Sequence, residues 1–221
     1  MITLALPKGR LLEEASRLLA RAGLPPADLG DGRLLVEAGE GLRYLLARPG
    51  DVVTYVKEGA ADLGVAGKDV LGENPGGYYE LLDLGIGRCR LSVAGILPPG
   101  TDPEGFLAAR RSLRVATKHP LAARAYFAAR GLAATIIPLG GALELAPQVG
   151  LADVIVDLVQ TGQTLRANGL TELAEIMPVT ARLIANPVSL RFKAAEIGRL
   201  AASLRAAAAV GGEAGAVPLG R

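Results

Sequence analysis

The segment Asp157-Leu-Val-Gln-Thr-Gly-Gln-Thr164 combines the residue types that can hold a sugar phosphate. It follows an apolar run, and we predict that a strand ends at Asp157 and that a helix begins near Thr164. Gly162 permits a positive φ and a close approach of the backbone to an anion, while threonine hydroxyls and free N–H groups supply hydrogen bonds. The carboxylate of Asp157 accepts hydrogen bonds only, which suits a sugar diol. The spacing therefore predicts a cradle for a ribose 5-phosphate, with an ordinary helix N-terminus as the alternative.

This segment resembles the loop by which many phosphoribosyltransferases bind 5-phosphoribosyl 1-pyrophosphate (PRPP). The residues that we predict to contact PRPP are Asp157, Val159, Gln160, Thr161, Gly162, Gln163 and Thr164. In many of those loops a second acid precedes the first. Val156 stands at that position here, so the hold on the ribose diol would rest on Asp157 alone.

Short apolar runs alternate with helical patterns along the chain, which predicts an α/β protein with mainly parallel sheets. The predicted strands are residues 2–6, 34–36, 42–46, 63–66, 90–97, 113–116, 135–138, 154–157 and 183–185. The predicted helices are residues 11–22, 51–58 with Asp51 as the cap, 121–130, 143–149, a helix from about 164, and 194–209, followed by a loose tail over 211–221.

These elements group into two α/β units that meet near residue 92, and the chain is expected to cross back near residue 173. We therefore predict lobe I over 1–91 and 173–221, on the nucleotide side, and lobe II over 92–172, which would bind PRPP. A cleft between two such lobes is a common place for a ligand.

The composition excludes several classes of protein. The 24 basic and 22 acidic residues are spread along the chain without a basic stripe, which argues against a nucleic-acid partner. No apolar run reaches the ~18 residues that span a bilayer, and the first strand pattern is too short for a signal peptide. Cys89 is the single cysteine, so no intrachain disulfide can form, and we expect a cytoplasmic protein. His119, the single histidine, is expected to cap a helix at Pro120 rather than to act in catalysis, and one histidine excludes a histidine-rich metal site.

A longer run carries more information than the loop alone. From Glu144 to Leu165 it reads Glu-Leu-Ala-Pro-Gln-Val-Gly-Leu-Ala-Asp-Val-Ile-Val-Asp-Leu-Val-Gln-Thr-Gly-Gln-Thr-Leu. Further segments stand in the same order at residues 6–10, 51–56, 61–70, 116–120 and 186–188. Together they closely resemble the ATP phosphoribosyltransferase family, whose members catalyse the first step of histidine biosynthesis. The resemblance covers roughly residues 1 to 190, and several matched segments in register make chance similarity implausible.

The resemblance implies two α/β lobes of the periplasmic-binding-protein type, with the active site in the cleft between them. It implies that N1 of the ATP adenine attacks C1 of the PRPP ribose and that pyrophosphate leaves. Mg²⁺ would be carried by the substrate diphosphate, since this cation takes few protein ligands. The short stretch after Pro187 leaves no room for the regulatory domain of the family's long form. We therefore expect the short form, a homo-oligomer that works with a separate regulatory subunit resembling histidyl-tRNA synthetase.

The family reaction needs positioning and charge neutralisation rather than a protein nucleophile. We assign catalytic roles to Lys8, Arg33 and Arg48, since arginine offers a bidentate fork to phosphate oxygens. The other candidates for phosphate contacts are Arg10, Lys68 and Lys118. The alternatives are solvated charges and surface ion pairs, or, for the arginine beside Lys8, the start of a helix.

Two acids lie in the matched segments. Asp69 is expected to face the nucleotide or to cap the turn that begins at Lys68. Glu144 is expected to reach the ribose or the metal, with an acid that merely complements a helix dipole as the alternative.

Two rival functions remain open from the sequence. The loop recognises only the ribose phosphate, so a phosphoribosyltransferase with another base as acceptor would carry it too. A small-molecule binding or sensor protein of the same two-lobed fold is the non-enzyme alternative, because a fold does not fix a function.

Overall fold

The structure, a computed structural model, describes residues 1–26, 33–39 and 41–211, with the backbone alone for Glu104 and Gly211. The strands are β1 (Ile2–Pro7), β2 (Leu35–Gly39), β3 (Leu42–Ala47), β4 (Leu63–Gly67), β5 (Tyr79–Asp83), β6 (Cys89–Gly95), β7 (Ser112–Thr117), β8 (Ala133–Pro138), β9 (Val154–Val159), β10 (Thr171–Val179) and β11 (Ala181–Ala185). The helices are α1 (Arg10–Arg21), α2 (Pro49–Lys57), α3 (Lys68–Glu73), α4 (Pro103–Ala108), α5 (Pro120–Ala129), α6 (Leu145–Gln148), α7 (Gln163–Ala167), α8 (Pro187–Phe192) and α9 (Ala194–Gly211). None of the described helices is long and apolar enough to cross a membrane.

The chain divides into two compact units. The first contains Met1–Gly87 and the chain from Thr180 onward, and the second is Arg88–Val179. Residues 92 and 173, near which we expected the chain to pass between lobes, both lie inside strands of the second unit, β6 and β10. Because β6 and β10 pair with each other, the second unit begins before β6 and ends after β10.

The first unit is built on a six-stranded sheet in the order β2-β3-β1-β4-β11-β5. The central strands β3, β1 and β4 are parallel, with Pro7 opposite Ala47 and Ala5 opposite Gly64. The outer strands β2, β11 and β5 are antiparallel to their neighbours. The expectation of mainly parallel sheets is therefore wrong for the outer strands. These strands come from hairpin-like connections and from the segment of chain that returns to this unit.

The second unit has a five-stranded sheet in the order β10-β6-β9-β7-β8. Its parallel part is β9, β7 and β8, with Thr117 opposite both Val156 and Pro138. Strands β6 and β10 are antiparallel. In each unit three neighbouring parallel strands thus end at the same edge, and the loops that follow them lie side by side.

Apolar clusters cover both faces of each sheet. In the first unit, Leu4 and Leu6 of β1 face helices α1 and α9, while Ala5 faces α2. In the second unit, Val154 and Val156 of β9 face α4 and α5, and the alternate residues of β9 face α6 and α7. This alternation follows from the two-residue period of a strand, and it buries apolar residues on both faces of β1 and β9.

Proline fixes the start of four helices. Pro49, Pro103, Pro120 and Pro187 each stand in the first turn, where the missing N–H group costs no hydrogen bond. The prediction that Asp51 caps its helix is therefore wrong, since that helix begins two residues earlier. His119 occupies the N-cap position of α5 as predicted, but its side chain makes no capping hydrogen bond and is buried.

Several elements were not predicted. Strands β5 and β10 carry mixed polar and apolar residues and a bulged register, so no clean alternation marks them. Helices α3, α4 and α8 have only six residues each, which is too short for a periodic apolar face. Of the predicted tail over 211–221, Gly211 is the last residue of α9, and residues 212–221 lie outside the described part.

Candidate active site

The predicted cations of the first unit lie after the carboxyl ends of its parallel strands or just before the antiparallel strand β2. Lys8 comes directly after β1, and its N–H donates to the Ala47 carbonyl at 2.8 Å, which places it beside Arg48 at the end of β3. Lys68 follows β4, the other parallel neighbour of β1. Arg33 precedes Leu34, whose carbonyl accepts from the N–H of Leu46 at 2.7 Å, so Arg33 reaches the same edge. Arg10 is the first residue of α1, directly after this edge.

We define the first cationic edge as Lys8, Arg10, Arg33, Arg48 and Lys68. Four of these side chains are exposed and Lys68 is half-buried. Cations gathered at one edge repel one another and create a positive potential that attracts polyanions. The arrangement is suited to a polyphosphate and unsuited to a neutral or cationic ligand.

Lys68 is held by an acid on β5, the strand beyond β11 in the sheet order. Its Nζ lies 2.6 Å from Oε2 of Glu80 in β5. Arg182 of β11, which is only 15% exposed, lies 3.6 Å from the other Glu80 oxygen and 2.9 Å from Asp83. The Lys68 ammonium is therefore fixed in direction, and the 41% exposure of its side chain leaves it accessible to an anion.

Asp69 folds back over the preceding glycine. It is 7% exposed, and a Cβ at Gly67 would come within 2.2 Å of its carboxylate, so only glycine fits beneath it. The prediction that Asp69 caps a turn is wrong, because Gly67 is the N-cap residue of α3 and no side chain caps this helix.

In the second unit, the loops after β7, β8 and β9 lie side by side and contain Lys118, Glu144 and the predicted PRPP loop. Lys118 Nζ lies 3.0 Å from Oδ1 of Asp157, so two residues chosen separately from the sequence form an ion pair. The same Oδ1 accepts from the backbone N–H of Leu158 at 2.8 Å. Among the described residues, no donor contacts the second oxygen of Asp157, whose side chain is 25% exposed. One carboxylate oxygen is thus held and the other is available.

The strand before the loop is longer than predicted. β9 continues to Val159, so Asp157 is an interior strand residue opposite Ser92 of β6 rather than the last one. The sequence suggested an earlier end because Asp is rare in strands. The Val159 side chain is buried in the apolar cluster of that face, so this member of the predicted set supports the loop with its side chain.

The loop itself has the backbone that the sequence predicted. Gly162 is the N-cap residue of α7 and adopts a left-handed conformation, with φ 71°. The Thr161 hydroxyl is 3.4 Å from the N–H of Gln163. In the part of the chain that the structure describes, no group accepts from the N–H groups of Thr161, Gly162 or Thr164. These donors can therefore bind an anion that approaches the loop.

Glu144 stands at the N-cap position of α6, but its side chain makes no capping bond. The preceding loop contains Ala142 with φ 50°, the one non-glycine residue with positive φ among those described. An alanine in this region costs about 1–2 kcal/mol, so the surrounding structure holds the loop in place. At the end of β7 the fully buried Thr117 hydroxyl joins the start of the Lys118 loop to β9: it donates to the Val156 carbonyl at 2.7 Å and accepts from the His119 N–H at 2.8 Å.

Three functional contacts were missed by the sequence analysis. They are Glu80, which holds Lys68, and two arginines, Arg90 and Arg166, which donate to the carbonyls of Gln160 and Thr161 at 3.2 Å each. Arg166 follows the loop closely enough for helical spacing to indicate it. Glu80 and Arg90 carry no local signal, since their contacts join different strands.

Solved structures of distant sequence define the class of fold. The chain resembles the BvgS VFT2 domain of Bordetella pertussis, at 15% identity and a TM-score of 0.59, over 94% of this chain and 86% of that one. It also resembles a TctC solute binding protein from Polaromonas, at 17% identity and a TM-score of 0.51, over 93% of this chain and 86% of that one. These similarities confirm the α/β fold of the periplasmic-binding-protein type, and at such identities they concern the fold alone.

Closer relatives define the family. The family model described as ATP phosphoribosyltransferase matches residues 48–206. An ATP phosphoribosyltransferase of Halorhodospira halophila is 54% identical over 94% of this chain and 95% of that protein. The solved ATP phosphoribosyl transferase (HisG:HisZ) complex from Thermotoga maritima matches at 34% identity and a TM-score of 0.78, over 95% of this chain and 100% of that one. The chain belongs to the ATP phosphoribosyltransferase family, which confirms the resemblance inferred from its motifs and the prediction of a glycosyltransferase.

Proposed function

We propose that this chain transfers the 5-phosphoribosyl group of PRPP to N1 of ATP and releases pyrophosphate, the first step of histidine biosynthesis. The observation that carries the proposal is the loop after β9, where an acid with one available oxygen lies four residues before the first of the free backbone donors, which flank the left-handed Gly162. Family membership supplies the choice of ATP as the acceptor.

The ribose 5-phosphate would bind at this loop. The N–H groups of Thr161, Gly162 and Thr164 would donate to the 5-phosphate oxygens, together with the threonine hydroxyls. The available oxygen of Asp157 would accept from the ribose hydroxyls, while Lys118 and the Leu158 amide keep the other oxygen in place. The carboxylate would thereby be oriented before the sugar arrives, which reduces the entropy lost on binding.

The polyphosphate groups would bind at the first cationic edge. Negative charge grows on the pyrophosphate as its bond to C1 breaks, and the ammonium and guanidinium groups of Lys8, Arg33 and Arg48 would neutralise that charge. No general base is needed, because the N1 lone pair of adenine is already available. Glu80 would keep Lys68 aimed at the same anion, and Asp69 would accept from the nucleotide.

We propose that Mg²⁺ assists the reaction, bound mainly to the substrate diphosphate. Among the described residues, no group of three or more histidine, cysteine, aspartate or glutamate side chains could hold a metal. A cation that takes most of its ligands from substrate oxygens and water fits this donor set. When bound, Mg²⁺ would supply positive charge that offsets part of the phosphate charge, and Glu144 is the carboxylate that we assign to the ribose or to this metal.

We infer further that the chain is the short form of the family, acts in the cytoplasm as a homo-oligomer, and associates with a regulatory subunit that resembles histidyl-tRNA synthetase. The similarity to the HisG chain of a HisG:HisZ complex, over the whole of that chain, supports the partner. Cys89 is the single cysteine of the sequence and can form no intrachain disulfide, which fits a reducing compartment. Co-purification with a HisZ-type subunit, measured by light scattering, tests the assembly, and a mixture that elutes as separate proteins would contradict it.

The test of the reaction is pyrophosphate release from ATP, PRPP and Mg²⁺ by the purified chain, with and without the regulatory subunit. We expect release that requires both substrates and a product absorbing as N1-substituted ATP. Release with another base in place of ATP would leave the PRPP loop intact and refute the acceptor. Binding of amino acids or sugars without any release would indicate a sensor instead.

A further inference from the structure

Arg90 of β6 contacts three acceptors at once. Its Nε and Nη2 donate to the two carboxylate oxygens of Glu172 in β10, at 2.6 and 2.5 Å. Its Nη1 donates to the backbone carbonyl of Gln160 at 3.2 Å. The fully buried Ser92 hydroxyl donates to Glu172 at 2.8 Å, so the acid is itself held in direction. The Glu172 hydrogen bond, and less strongly its charge and that of Glu175, raise the pKa of Arg90 against the opposing effect of burial.

The contact with the Gln160 carbonyl fixes a peptide plane of the PRPP loop. In a trans peptide the carbonyl of Gln160 and the N–H of Thr161 point in opposite directions. Arg166 does the same for the next plane, since its Nη2 donates to the Thr161 carbonyl at 3.2 Å. With both carbonyls engaged by guanidinium groups, the N–H groups of Thr161 and Gly162 are directed away from the arginines.

We propose that Arg90, oriented by Glu172, is a positioning residue for PRPP, which fixes the Gln160–Thr161 peptide so that its N–H donates to the substrate phosphate. This inference rests on the proposed function, because it assumes that the loop binds PRPP. Lysine cannot replace the arginine, since a single ammonium group cannot reach two carboxylate oxygens and a carbonyl in a fixed fork. Glu172 belongs to the same device, because without it the guanidinium would be free to turn away.

The second unit contains a matched pair with no part in the loop. Arg114 of β7 donates to both oxygens of Asp153, at 3.4 and 3.0 Å, and to the carbonyl of Gly150 at 2.8 Å. Arg114 therefore has the same set of acceptors as Arg90, two carboxylate oxygens and one backbone carbonyl, at the opposite end of β9. Replacement of Arg114 controls for the general loss of an arginine–carboxylate pair next to this strand.

The experiment compares Arg90→Lys, Glu172→Gln and Arg114→Lys in the full chain, with its regulatory subunit present if activity requires it. Steady-state kinetics give KM for PRPP and for ATP separately, and titration calorimetry gives the affinity for PRPP with Mg²⁺. We expect Arg90→Lys to raise KM and Kd for PRPP roughly tenfold and to leave KM for ATP within about twofold. Glu172→Gln should change the same constants in the same direction by less. Arg114→Lys should leave both KM values unchanged.

The thermal midpoint of each variant separates positioning from folding. A variant of Arg90→Ala that recovers PRPP affinity on addition of guanidinium, but not of ammonium, would support the role directly. Equal changes in both KM values for Arg90→Lys, or the same rise in KM for PRPP in Arg114→Lys, would overturn it. Absence of ATP-dependent pyrophosphate release from the unaltered protein would instead refute the proposed function, so the two failures are distinguishable.

Discussion

The two edges of each sheet use carboxylates in different ways. At the amino edge, Asp62 stands one residue before β4, and Asp153 stands one residue before β9. Asp62 accepts from the Thr3 N–H and donates its own N–H to the Thr3 carbonyl, at 2.8 and 2.9 Å. Asp153 has the same two bonds to Arg114, both at 2.8 Å. In both units, therefore, the same pair of hydrogen bonds from an aspartate to the backbone of a neighbouring strand joins two parallel strands, although the two sequences show no internal repeat.

The carboxyl edge leaves its acid incompletely bonded. Asp62 also accepts from Ser189 and Lys193, at 2.6 and 2.8 Å, so both of its oxygens are occupied. Asp157, near the end of β9, has donors on one oxygen only within the described residues. The side chains of Asp153 and Asp157 are almost equally exposed, at 22% and 25%, so the number of donors on the carboxylate, rather than burial or residue type, separates the amino-edge acids from the acid that we propose to bind the ribose.

The largest expected effect is on stability, from Asp62→Asn. The amide places an N–H₂ group against donors that the carboxylate accepted, and it leaves Lys193 without its counter-ion. Removing one partner of a buried pair costs 3–5 kcal/mol, and since Lys193 is 38% exposed we expect about 3 kcal/mol. Urea denaturation followed by circular dichroism measures the loss. The fraction that stays folded should keep its affinity for PRPP.

Asp153→Asn is the matched variant in the second unit. Arg114 is 50% exposed, so solvent already screens this pair, and the loss should be about 1 kcal/mol. Equal losses for the two variants would show that exposure of the cation does not decide the strength of the device.

The second prediction concerns Asp157, at the carboxyl edge of the second sheet. Asp157→Asn should lower kcat/KM for PRPP by one to two decades, since charge-assisted hydrogen bonds contribute about 1.5–3 kcal/mol. The thermal midpoint should change little, because within the described part of the chain the side chain has only Lys118 and a neighbouring amide as partners. Initial rates at limiting PRPP measure the effect. A kcat/KM within twofold of the unaltered protein would remove Asp157 from the site.

Much of the fold was accessible from the sequence because the central strands are short apolar runs between turns. β1 and β4 are buried on both faces, and so are the second half of β7 and the first half of β9; such runs are the clearest signal of parallel strands. Two of the helices that begin at proline, α2 and α5, were placed within two residues, whereas α4 and α8 were not predicted. Loops that follow parallel strands carry the ligand groups of most α/β proteins, which is why the PRPP loop and the cations could be chosen in advance.

The rest depends on contacts between strands that are distant along the chain. β5 and β10 become strands by pairing with β11 and β6, and neither pairing has a local signature. The same holds for the ion pair of Lys68 with Glu80. Asp157 was read as a strand end from its low β-propensity, but pairing with β6 extends the strand past it. No alternation pattern could have revealed these contacts, because register between strands is a tertiary property.

The third prediction compares two glycines at the ends of α7. Gly162 and Gly169 have φ 71° and 68°, so alanine at either position is strained by about 1 kcal/mol. A Cβ at Gly169 meets nothing within 4 Å, and one at Gly162 would lie 3.2 Å from the mobile end of Arg166. The two alanine variants should therefore lose similar stability, whereas only Gly162→Ala should weaken PRPP binding, by about fivefold. Calorimetric titration of both with PRPP and Mg²⁺ decides, and equal affinities would show that the Gly162 backbone does not contact the substrate.

The smallest expected effect is the loss, at acid pH, of the stability that the Asp62 carboxylate contributes at the amino edge. Burial raises the pKa of Asp62, but hydrogen bonds from Lys193, Ser189 and the Thr3 amide, with the Lys193 charge, outweigh it and hold the pKa below its usual 3.8. A depressed pKa means that the unfolded chain binds the proton more readily, so this carboxylate stabilises the fold fully above pH ~4 and less as the pH falls through its folded value. The difference in unfolding free energy between the unaltered protein and Asp62→Asn should be constant from neutral pH to about pH 5. Below that it should shrink by less than about 1.4 kcal/mol per pH unit, the limit for one proton. Denaturant titrations at several pH values measure this slope, and a difference that stays constant into acid would show that the Asp62 carboxylate is not what ties α8 and α9 to the first sheet.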